Sequence, residues 1–309
     1  MNWDLTLLNF FNQRMAHPVL DWVMIFATVV GLWLLPASGI ALYWRGQRRV
    51  GLNLLLALGI SMLGTFAFYY LALRPRPVNV RLLLPTPDFP SFPSGHTAAA
   101  FSTAIFLILV NHKRHQDLNQ QSHWLGVSGI FAGALLITLS RLYLGHHYPT
   151  DLLGGAALGS AVGACVYGFT LTQSTWLQRL RWLLWPQIAI VILVTEMAYL
   201  NLLPGNLLSW PMADKVLHFT LFGAVTFWLN LWFQGRTVKI LAWSIPLAIL
   251  VPLAFALVEE GLQAWSPLRT ASLVDLGADA MGMLVFYVLS NRLLAIDSHK
   301  VTRQATLHS

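Results

Sequence analysis

Long apolar runs recur along this 309-residue chain, and they favour a fold of membrane-crossing helices. A helix that spans a bilayer needs about 20 predominantly apolar residues. Runs of about this length lie near 22–44, 50–73, 94–111, 124–143, 150–172, 183–203, 216–233, 239–258 and 273–291. Only 10% of the residues are charged, compared with roughly 25% in soluble domains. The sequence therefore predicts an all-α, polytopic membrane protein with about nine transmembrane helices.

A polar stretch over 173–181 is the main break between these runs, and it predicts two membrane domains, 1–175 and 182–295, with a short tail at 296–309. Ahead of the first run, Leu5, Leu8, Phe11 and Met15 recur at helical spacing, which predicts an amphipathic helix lying along the membrane interface. The single cysteine, Cys165, lies in an apolar run, so neither a disulfide nor a cysteine metal cluster is expected.

The net charge of +7 comes from basic residues scattered in short turns, which argues against a nucleic-acid-binding face. One set of turns and the tail hold twelve of the 19 basic residues. These are Arg45, Arg48, Arg49, Lys113, Arg114, Arg179, Arg181, Arg236, Lys239, Arg292, Lys300 and Arg303. Lys and Arg concentrate on the cytoplasmic side of membrane proteins. We therefore expect a multi-pass protein of a bacterial inner membrane, with its amino terminus outside and its carboxyl terminus in the cytoplasm.

Three short strings at the edges of the apolar runs carry groups suited to a phosphate ester. They are Arg74-Pro75-Arg76-Pro77, Pro93-Ser94-Gly95-His96, and Ser140-Arg141 followed by His147 and Asp151. Guanidinium forks match phosphate oxygens bidentately, and imidazoles can act as nucleophile, acid or base. By the charge rule, all three strings face the extracytoplasmic side.

The second string predicts the first turn of a helix, because proline suits a helix start and Ser94 can cap it. Free backbone N–H groups there favour an anion, and Gly95 allows close approach. An ordinary capped helix start with an interfacial histidine explains this string equally well.

In the third string, Asp151 lies four residues after His147. At that spacing it can accept a hydrogen bond from Nδ1–H and leave Nε2 free as a nucleophile. The alternative is that Asp151 only complements the helix dipole. The pair of Arg74 and Arg76 is by itself weak evidence for a phosphate site, since juxtamembrane arginines also anchor lipid head groups.

Together and in this order, the three strings resemble the type 2 phosphatidic acid phosphatase family, which shares its site with vanadium-dependent haloperoxidases. The likeness covers 1–172, including the opening Asn2-Trp3-Asp4. It implies a helical phosphatase bundle in which His147 attacks phosphorus, Asp151 orients it and His96 serves as acid and then base. A further set would hold the phosphate oxygens: Arg74, Arg76, Ser94, Gly95, Ser140 and Arg141. No metal or other cofactor is implied. One position departs from the family pattern, because Tyr69 stands where the family has a lysine.

Polar residues in the second half also form a pattern, and it resembles the VanZ-like family over 183–291. The residues are Glu196, Asp214, Lys215, His218, Glu260, Gln263, Arg269, Asp275 and Asp279. Charges inside a membrane need partners, so a shared cluster in a four-helix bundle is expected. Either a structural salt-bridge network or a ligand site fits this pattern.

The expected function is an integral-membrane lipid phosphatase whose partners are the bilayer and a lipid substrate. Undecaprenyl diphosphate is favoured, with phosphatidylglycerophosphate and phosphatidic acid as further candidates. Two alternatives stay open: a lipid phosphotransferase that uses the same site, and a non-catalytic envelope or antibiotic-resistance factor. The sequence leaves the oligomeric state open.

Overall fold

The computed structural model describes residues 2–114, 120–172, 175–205, 210–240, 242–263 and 273–307. The helices are α1 (Asn2–Asn9), α2 (Pro18–Trp44), α3 (Arg48–Ala72), α4 (Gly95–Arg114), α5 (Gln120–Tyr143), α6 (Pro149–Leu171), α7 (Trp176–Leu180), α8 (Leu184–Tyr199), α9 (Ala213–Phe233), α10 (Leu247–Gln263) and α11 (Leu273–Leu307). A π-helical turn follows α1 at Phe10–Arg14, and a 3₁₀ turn at Arg181–Leu183 precedes α8. Two strands, β1 (Thr237–Ile240) and β2 (Trp243–Pro246), complete the described elements.

Contacts divide the chain into two compact units. The first contains Met1–Thr172 together with Ile192–Leu203, and the second contains Gln173–Val191 together with Pro204–Ser309. The predicted boundary near 175 is close to this division. The return of Ile192–Leu203 to the first unit was not predicted.

The described residues include seven helices that are long and apolar enough to cross a membrane. They lie within Pro18–Trp44, Arg48–Ala72, Trp124–Tyr143, Pro149–Leu171, Trp176–Tyr199, Ala213–Phe233 and Leu273–Ile296. The chain is thus a mostly helical, multi-pass membrane protein. The predicted count of nine included 94–111 and 239–258, which do not meet these criteria.

Helix α4, over the predicted span 94–111, is a packed interior helix with a polar seam. Its Ser102 and Thr103 are buried, and so are Ala98 and Ala104. Helix α6 approaches it closely: a Cβ at Gly159 would lie 2.1 Å from the carbonyl oxygen of Ala98. Small residues allow helix backbones to meet in this way. Because protein surrounds much of α4, its hydropathy is lower than that of a lipid-facing helix.

The other predicted span, 239–258, divides into an antiparallel hairpin and a shorter helix. Strand β1 pairs with β2, with Thr237 opposite Pro246 and Ile240 opposite Trp243. β-Branched and aromatic residues favour strands, and they are frequent in this short segment. The all-α prediction is therefore corrected here to a mostly helical fold with one hairpin.

The amino-terminal helix packs one side against the rest of the first unit. Leu8 is fully buried and forms a cluster with Leu142 and Leu152. Asp4 on the same helix is also buried. This packing brings α1 against the start of α6, where the third sequence string lies.

Candidate active site

His147 lies in the turn between α5 and α6 and is almost completely buried. Its Nδ1 is 2.8 Å from the carbonyl oxygen of Ser91 and 3.5 Å from Oδ2 of Asp151. The short contact is the hydrogen bond, so Nδ1–H donates to Ser91. This leaves Nε2 with its lone pair available, as a nucleophilic histidine requires. Asp151 stands beside the ring as a charge partner.

Asp151 is also tied to the start of α6. Its Oδ2 accepts from the backbone N–H of Tyr148 at 2.9 Å, and the residue is fully buried. A carboxylate that reaches back over the first turn satisfies one of the free N–H groups of the helix. Asp151 is thus the helix-start carboxylate and also lies beside His147, but the Nδ1–H of His147 donates to the Ser91 carbonyl and not, as the sequence predicted, to Asp151.

Arg76 faces the nucleophilic edge of His147. Its Nη1 lies 3.4 Å from Nε2 of His147 and donates to the His146 carbonyl at 2.9 Å. Its Nε donates to the carbonyl of Phe89 at 2.8 Å. These backbone contacts fix the guanidinium beside Nε2, where the phosphoryl oxygens of a substrate attacked by His147 would lie.

Arg141, at the end of α5, is buried and partly unsatisfied. One Nη donates to Thr28 Oγ1 at 2.6 Å, and the other contacts Nδ1 of His146. Its Nε is buried without a hydrogen-bond partner. A buried donor without a partner is costly, and a bound anion would satisfy it.

His146 orients Arg141, a role that the sequence did not suggest. Its Nε2 lies 3.1 Å from the carbonyl oxygen of Leu84, so Nε2–H donates there and Nδ1 accepts from Arg141. His146 is buried. It therefore acts as a neutral hydrogen-bonding bridge between the loop near Leu84 and α5.

His96 and Gly95 occupy the first turn of α4, as the sequence predicted. His96 interacts electrostatically with Arg141, His147, His146 and Arg76. The two imidazoles and two of the predicted arginines therefore share one region of the first unit.

Tyr69 is directed into the same region from the end of α3. Its hydroxyl lies 3.5 Å from the position of a Cβ on Gly95 and interacts electrostatically with Arg76 and Arg141. The ring stacks on Phe89 with centroids 6.2 Å apart. A phenolic hydroxyl is thus held near Gly95, Arg76 and Arg141 at the position where the family pattern has an ammonium.

The contacts of Arg74 differ from the predicted role of binding substrate phosphate. Its Nη1 donates to Thr150 Oγ1 at 2.7 Å and to Asp151 Oδ1 at 2.5 Å, while Nη2 donates to Asp4 Oδ2 at 2.7 Å. The guanidinium also lies over the Tyr148 ring, 4.1 Å from its centroid. Both terminal nitrogens are engaged with protein groups, so Arg74 neutralises two buried carboxylates.

Two further predicted phosphate ligands are also engaged elsewhere. The backbone N–H of Ser94 donates to the Asp151 carbonyl at 2.9 Å, so that amide joins α4 to α6. The Ser140 hydroxyl donates to the Ile137 carbonyl at 2.6 Å within its own helix. Helical serines commonly make such bonds when buried away from water. The Ser94 amide and the Ser140 hydroxyl were predicted to contact phosphate, and each is instead bonded to a backbone carbonyl.

Asp4 and Ser91 complete the arrangement and were not among the predicted site residues. Asp4 accepts from Arg74 and from Thr150, and the Ser91 carbonyl accepts from His147. The Ser91 backbone N–H in turn donates to the Arg74 carbonyl at 2.8 Å. The opening Asn2-Trp3-Asp4 was noted in the sequence, but its contact across 146 positions to Thr150 has no local signal.

Burial keeps the two loop histidines neutral. It lowers the pKa of His147 to about 4, with Arg141 and Arg76 acting in the same direction and Asp151 opposing them. Burial and the nearby Arg141 lower the pKa of His146 to about 3. At neutral pH, His147 is therefore in the form that can attack phosphorus.

We expect the folded state to lose stability as the pH falls from neutral to about 4. In the unfolded chain both histidines titrate near about 6.5. Between those values the unfolded chain binds more protons, so the free energy of unfolding falls by at most about 1.4 kcal/mol per pH unit for each histidine. Thermal unfolding in detergent measures this effect. His146→Gln should make the unfolding temperature less dependent on pH. An unfolding temperature that rises as the pH falls towards about 4 would contradict the prediction.

Glu196 lies in the first unit, whereas the sequence grouped it with the second-half polar cluster. Its Oε2 is 2.9 Å from the position of a Cβ on Gly154, and this oxygen is buried without a hydrogen-bond partner. The carboxylate interacts electrostatically with Asp151, Arg74 and Asp4. The segment Ile192–Leu203 thus contributes a residue to the surroundings of the Arg74 network.

The remaining described members of the predicted polar cluster pair with one another. Lys215 contacts Asp214 at 2.6 Å and Asp275 at 2.5 Å, and His218 Nδ1 is 3.0 Å from Asp279 Oδ1. Arg269 and the side chains of Glu260 and Gln263 lie outside the described residues. These contacts favour the salt-bridge interpretation for the described members.

Comparison with known proteins identifies the family of the first unit. The PAP2 superfamily model matches residues 50–175. The lipid A 4'-phosphatase of Bacteroides thetaiotaomicron is 32% identical to this chain, over 53% of the chain and 75% of that protein. The chain belongs to the PAP2 superfamily. An undecaprenyl-diphosphatase of Sulfolobus acidocaldarius is also 32% identical, over 46% of this chain and 66% of that protein.

The solved structure of a PAP2-type phosphatidylglycerolphosphate phosphatase from Bacillus subtilis is 26% identical to this chain, with a TM-score of 0.49. The match covers 57% of this chain and 88% of the solved chain. Membership of the PAP2 superfamily, with the lipid A 4'-phosphatase and the undecaprenyl-diphosphatase as relatives in sequence, supports a lipid phosphate hydrolase, as the sequence predicts. The VanZ-like resemblance of the second half stays a prediction.

The described residues contain no group of three or more His, Cys, Asp or Glu side chains placed to hold a metal ion. The side chains of this region supply a neutral imidazole with a free Nε2, a second imidazole, and two guanidiniums beside them. Metal independence itself stays a prediction.

Proposed function

We propose that the chain is an integral-membrane lipid phosphatase that acts through a phosphohistidine at His147. The main support is geometric. The Nδ1 of His147 is hydrogen-bonded to the Ser91 carbonyl, and its Nε2 faces Arg76. The Nε–H of Arg141 is buried without a hydrogen-bond partner and can therefore donate to a bound phosphate. Phosphoryl transfer depends mostly on positioning and charge stabilisation, and these groups provide both.

The proposed reaction has two steps. His147 Nε2 attacks the terminal phosphorus, the bond from that phosphorus to the oxygen that joins it to the rest of the lipid breaks, and protonated His96 gives its proton to that oxygen. His96 then takes a proton from water, whose oxygen attacks phosphorus as the Nε2–P bond breaks. Inorganic phosphate leaves and both histidines return to their starting forms. Arg76 and Arg141 hold the phosphoryl oxygens throughout.

The substrate we favour is undecaprenyl diphosphate, with phosphatidylglycerophosphate and phosphatidic acid as the other candidates. Relatives named as undecaprenyl-diphosphatases support this preference, while relatives named as lipid A phosphatases and phosphatidylglycerophosphatases support the wider class. Inorganic phosphate release from each lipid by the detergent-purified full chain tests the proposal. Release should be fastest from the diphosphate, and release from none would contradict the proposal.

We also propose that the site faces the extracytoplasmic side of a bacterial inner membrane, with the amino terminus outside. The support is the distribution of basic residues, twelve of 19 in one set of turns and the tail. A carboxyl-terminal epitope tag should be accessible to antibody only after the inner membrane is permeabilised. Access in intact spheroplasts would reverse this orientation.

Replacing Tyr69 with phenylalanine is expected to lower kcat/KM about 10-fold to 100-fold without changing the thermal midpoint. The hydroxyl is the one polar group lost, and a hydrogen bond to a charged group is worth about 1.5–3 kcal/mol. Steady-state kinetics of the two proteins measure this. Unchanged kcat/KM would mean that the hydroxyl does not contact phosphate, and Tyr69→Lys then tests whether an ammonium improves binding there.

A further inference from the structure

Asn12 lies in the π-helical turn that follows α1, and it is fully buried although its side chain is polar. Its amide makes three short hydrogen bonds. Nδ2 donates to the carbonyl oxygens of Arg81 and Tyr143, each at 2.8 Å, and Oδ1 accepts from the backbone N–H of Arg81 at 2.8 Å. A buried amide that is satisfied in this way joins three distant segments of the first unit.

The bond to Tyr143 holds the turn that carries His146 and His147. Tyr143 is the last residue of α5, and the last carbonyls of a helix have no partner inside it. Gly145, two residues later, has a φ of +73°, a conformation that favours glycine. A Cβ there would lie 3.0 Å from Nδ2 of Asn12, so a larger residue would crowd the amide. The turn that leads to the two histidines is therefore packed against the Asn12 side chain.

The bonds to Arg81 hold the loop that His146 contacts. His146 donates through Nε2 to the carbonyl oxygen of Leu84, three residues after Arg81, and its Nδ1 accepts from Arg141. Asn12 and His146 therefore hold one loop at two nearby points, Arg81 and Leu84. Release of Arg81 would loosen the carbonyl to which His146 donates, and with it the guanidinium of Arg141.

From these contacts we infer that Asn12 is a positioning residue, which acts on phosphoryl transfer through the turn of His147 and the loop of Arg81. The inference rests on the proposed phosphatase activity and adds a residue outside 50–175, the range that the PAP2 superfamily model matches. Asn12 belongs to a π-helical turn, a rare element that is frequent at functional sites. A displacement of about 1 Å at a catalytic group can cost on the order of 100-fold in rate.

Asn12→Asp is the test variant, because it keeps the shape and the acceptor oxygen but replaces the NH₂ group, which donates twice, by an oxygen. Asn9→Asp is the matched control, since Asn9 is exposed at the end of α1 and receives the same substitution. Both would be compared with the unsubstituted full chain in single-turnover release of phosphate from undecaprenyl diphosphate, with enzyme in saturating excess. The rate constant then reports the folded molecules alone, so a loss of folded protein does not lower it.

Asn12→Asp should lower this rate constant about 10-fold to 100-fold, and Asn9→Asp should leave it within about twofold. Effects of residues that act through shared partners are not additive. The loss in a protein with both Asn12→Asp and His146→Gln should therefore be clearly smaller than the product of the two separate losses. An unchanged rate constant in Asn12→Asp, an equal loss in Asn9→Asp, or losses that multiply would overturn the inference.

If Asn12→Asp gives no folded protein, Asn12→Ala carries the same comparison, because it removes the same bonds without burying a charge. Failure of the unsubstituted protein to release phosphate from any of the candidate lipids would instead contradict the proposed function. Hydrogen–deuterium exchange of the backbone over 144–148 then tests the positioning role. Exchange should be faster in the Asn12 variant and unchanged in Asn9→Asp, and equal exchange in all three proteins would overturn the inference.

Discussion

Replacing His147 with alanine is expected to lower phosphate release by on the order of 10⁴-fold or more, since removal of a covalent nucleophile costs about that much. The imidazole is buried and makes its hydrogen bond to the Ser91 carbonyl, so the loss should be chemical, with Nε2 gone from beside Arg76. Single-turnover phosphate release from undecaprenyl diphosphate measures the effect. Binding of the lipid should change far less than its turnover.

His112→Ala is the matched control for this variant. His112 is exposed and lies near the end of α4, at the opposite end of the helix from His96. Its replacement should leave turnover within about twofold, as is usual for surface positions. If the His147→Ala protein folds normally and releases phosphate as fast as the unsubstituted protein, the phosphohistidine route is excluded.

Arg74→Ala is expected to destabilise the protein by about 3–5 kcal/mol, the usual cost of removing one partner from a buried charge pair. Asp4 and Asp151 would remain buried with their common guanidinium gone. Thermal unfolding in detergent should show a markedly lower midpoint. Activity should fall as well, because Asp151 adjoins His147 and its position depends on Arg74.

Arg76→Ala provides the contrast to Arg74→Ala. Arg76 donates mainly to backbone carbonyls, and its guanidinium faces Nε2 of His147. We expect a loss of about 10²–10³ in kcat, the usual cost of losing one stabilising donor, with a small change in unfolding midpoint. An unchanged midpoint in Arg74→Ala together with a raised KM would restore the sequence prediction that Arg74 binds phosphate.

The sequence predicted the parts of this protein that depend on local pattern. Apolar runs of membrane length predicted α2, α3 and α5, because hydropathy reports directly on the surroundings of a helix. The helix start at Gly95 was predicted from the preference of proline for a helix start and from the capping capacity of Ser94. Residues 94–111 were also predicted to span, and that span is not confirmed, because the polar seam of Ser102 and Thr103 lowers the hydropathy of α4.

Long-range partners were beyond prediction from one sequence. Arg74 was expected to bind phosphate because arginine suits that role, but the packing of α1 brings Asp4 to it across 70 positions. The Ser91 carbonyl accepts from His147 across 56 positions, and a backbone oxygen carries no residue-specific signal. Glu196 joins the first unit because the chain returns to it at Ile192–Leu203, which no local pattern indicates.

The most direct test of the account is to trap the covalent intermediate. The unsubstituted full chain would be mixed with undecaprenyl diphosphate, quenched rapidly in alkaline denaturant during turnover and mapped by mass spectrometry. The account predicts a phosphoryl group on His147 and none in the His147→Ala protein. Phosphate release by a competent enzyme with no phosphohistidine, or with the phosphoryl group on another residue, would contradict it.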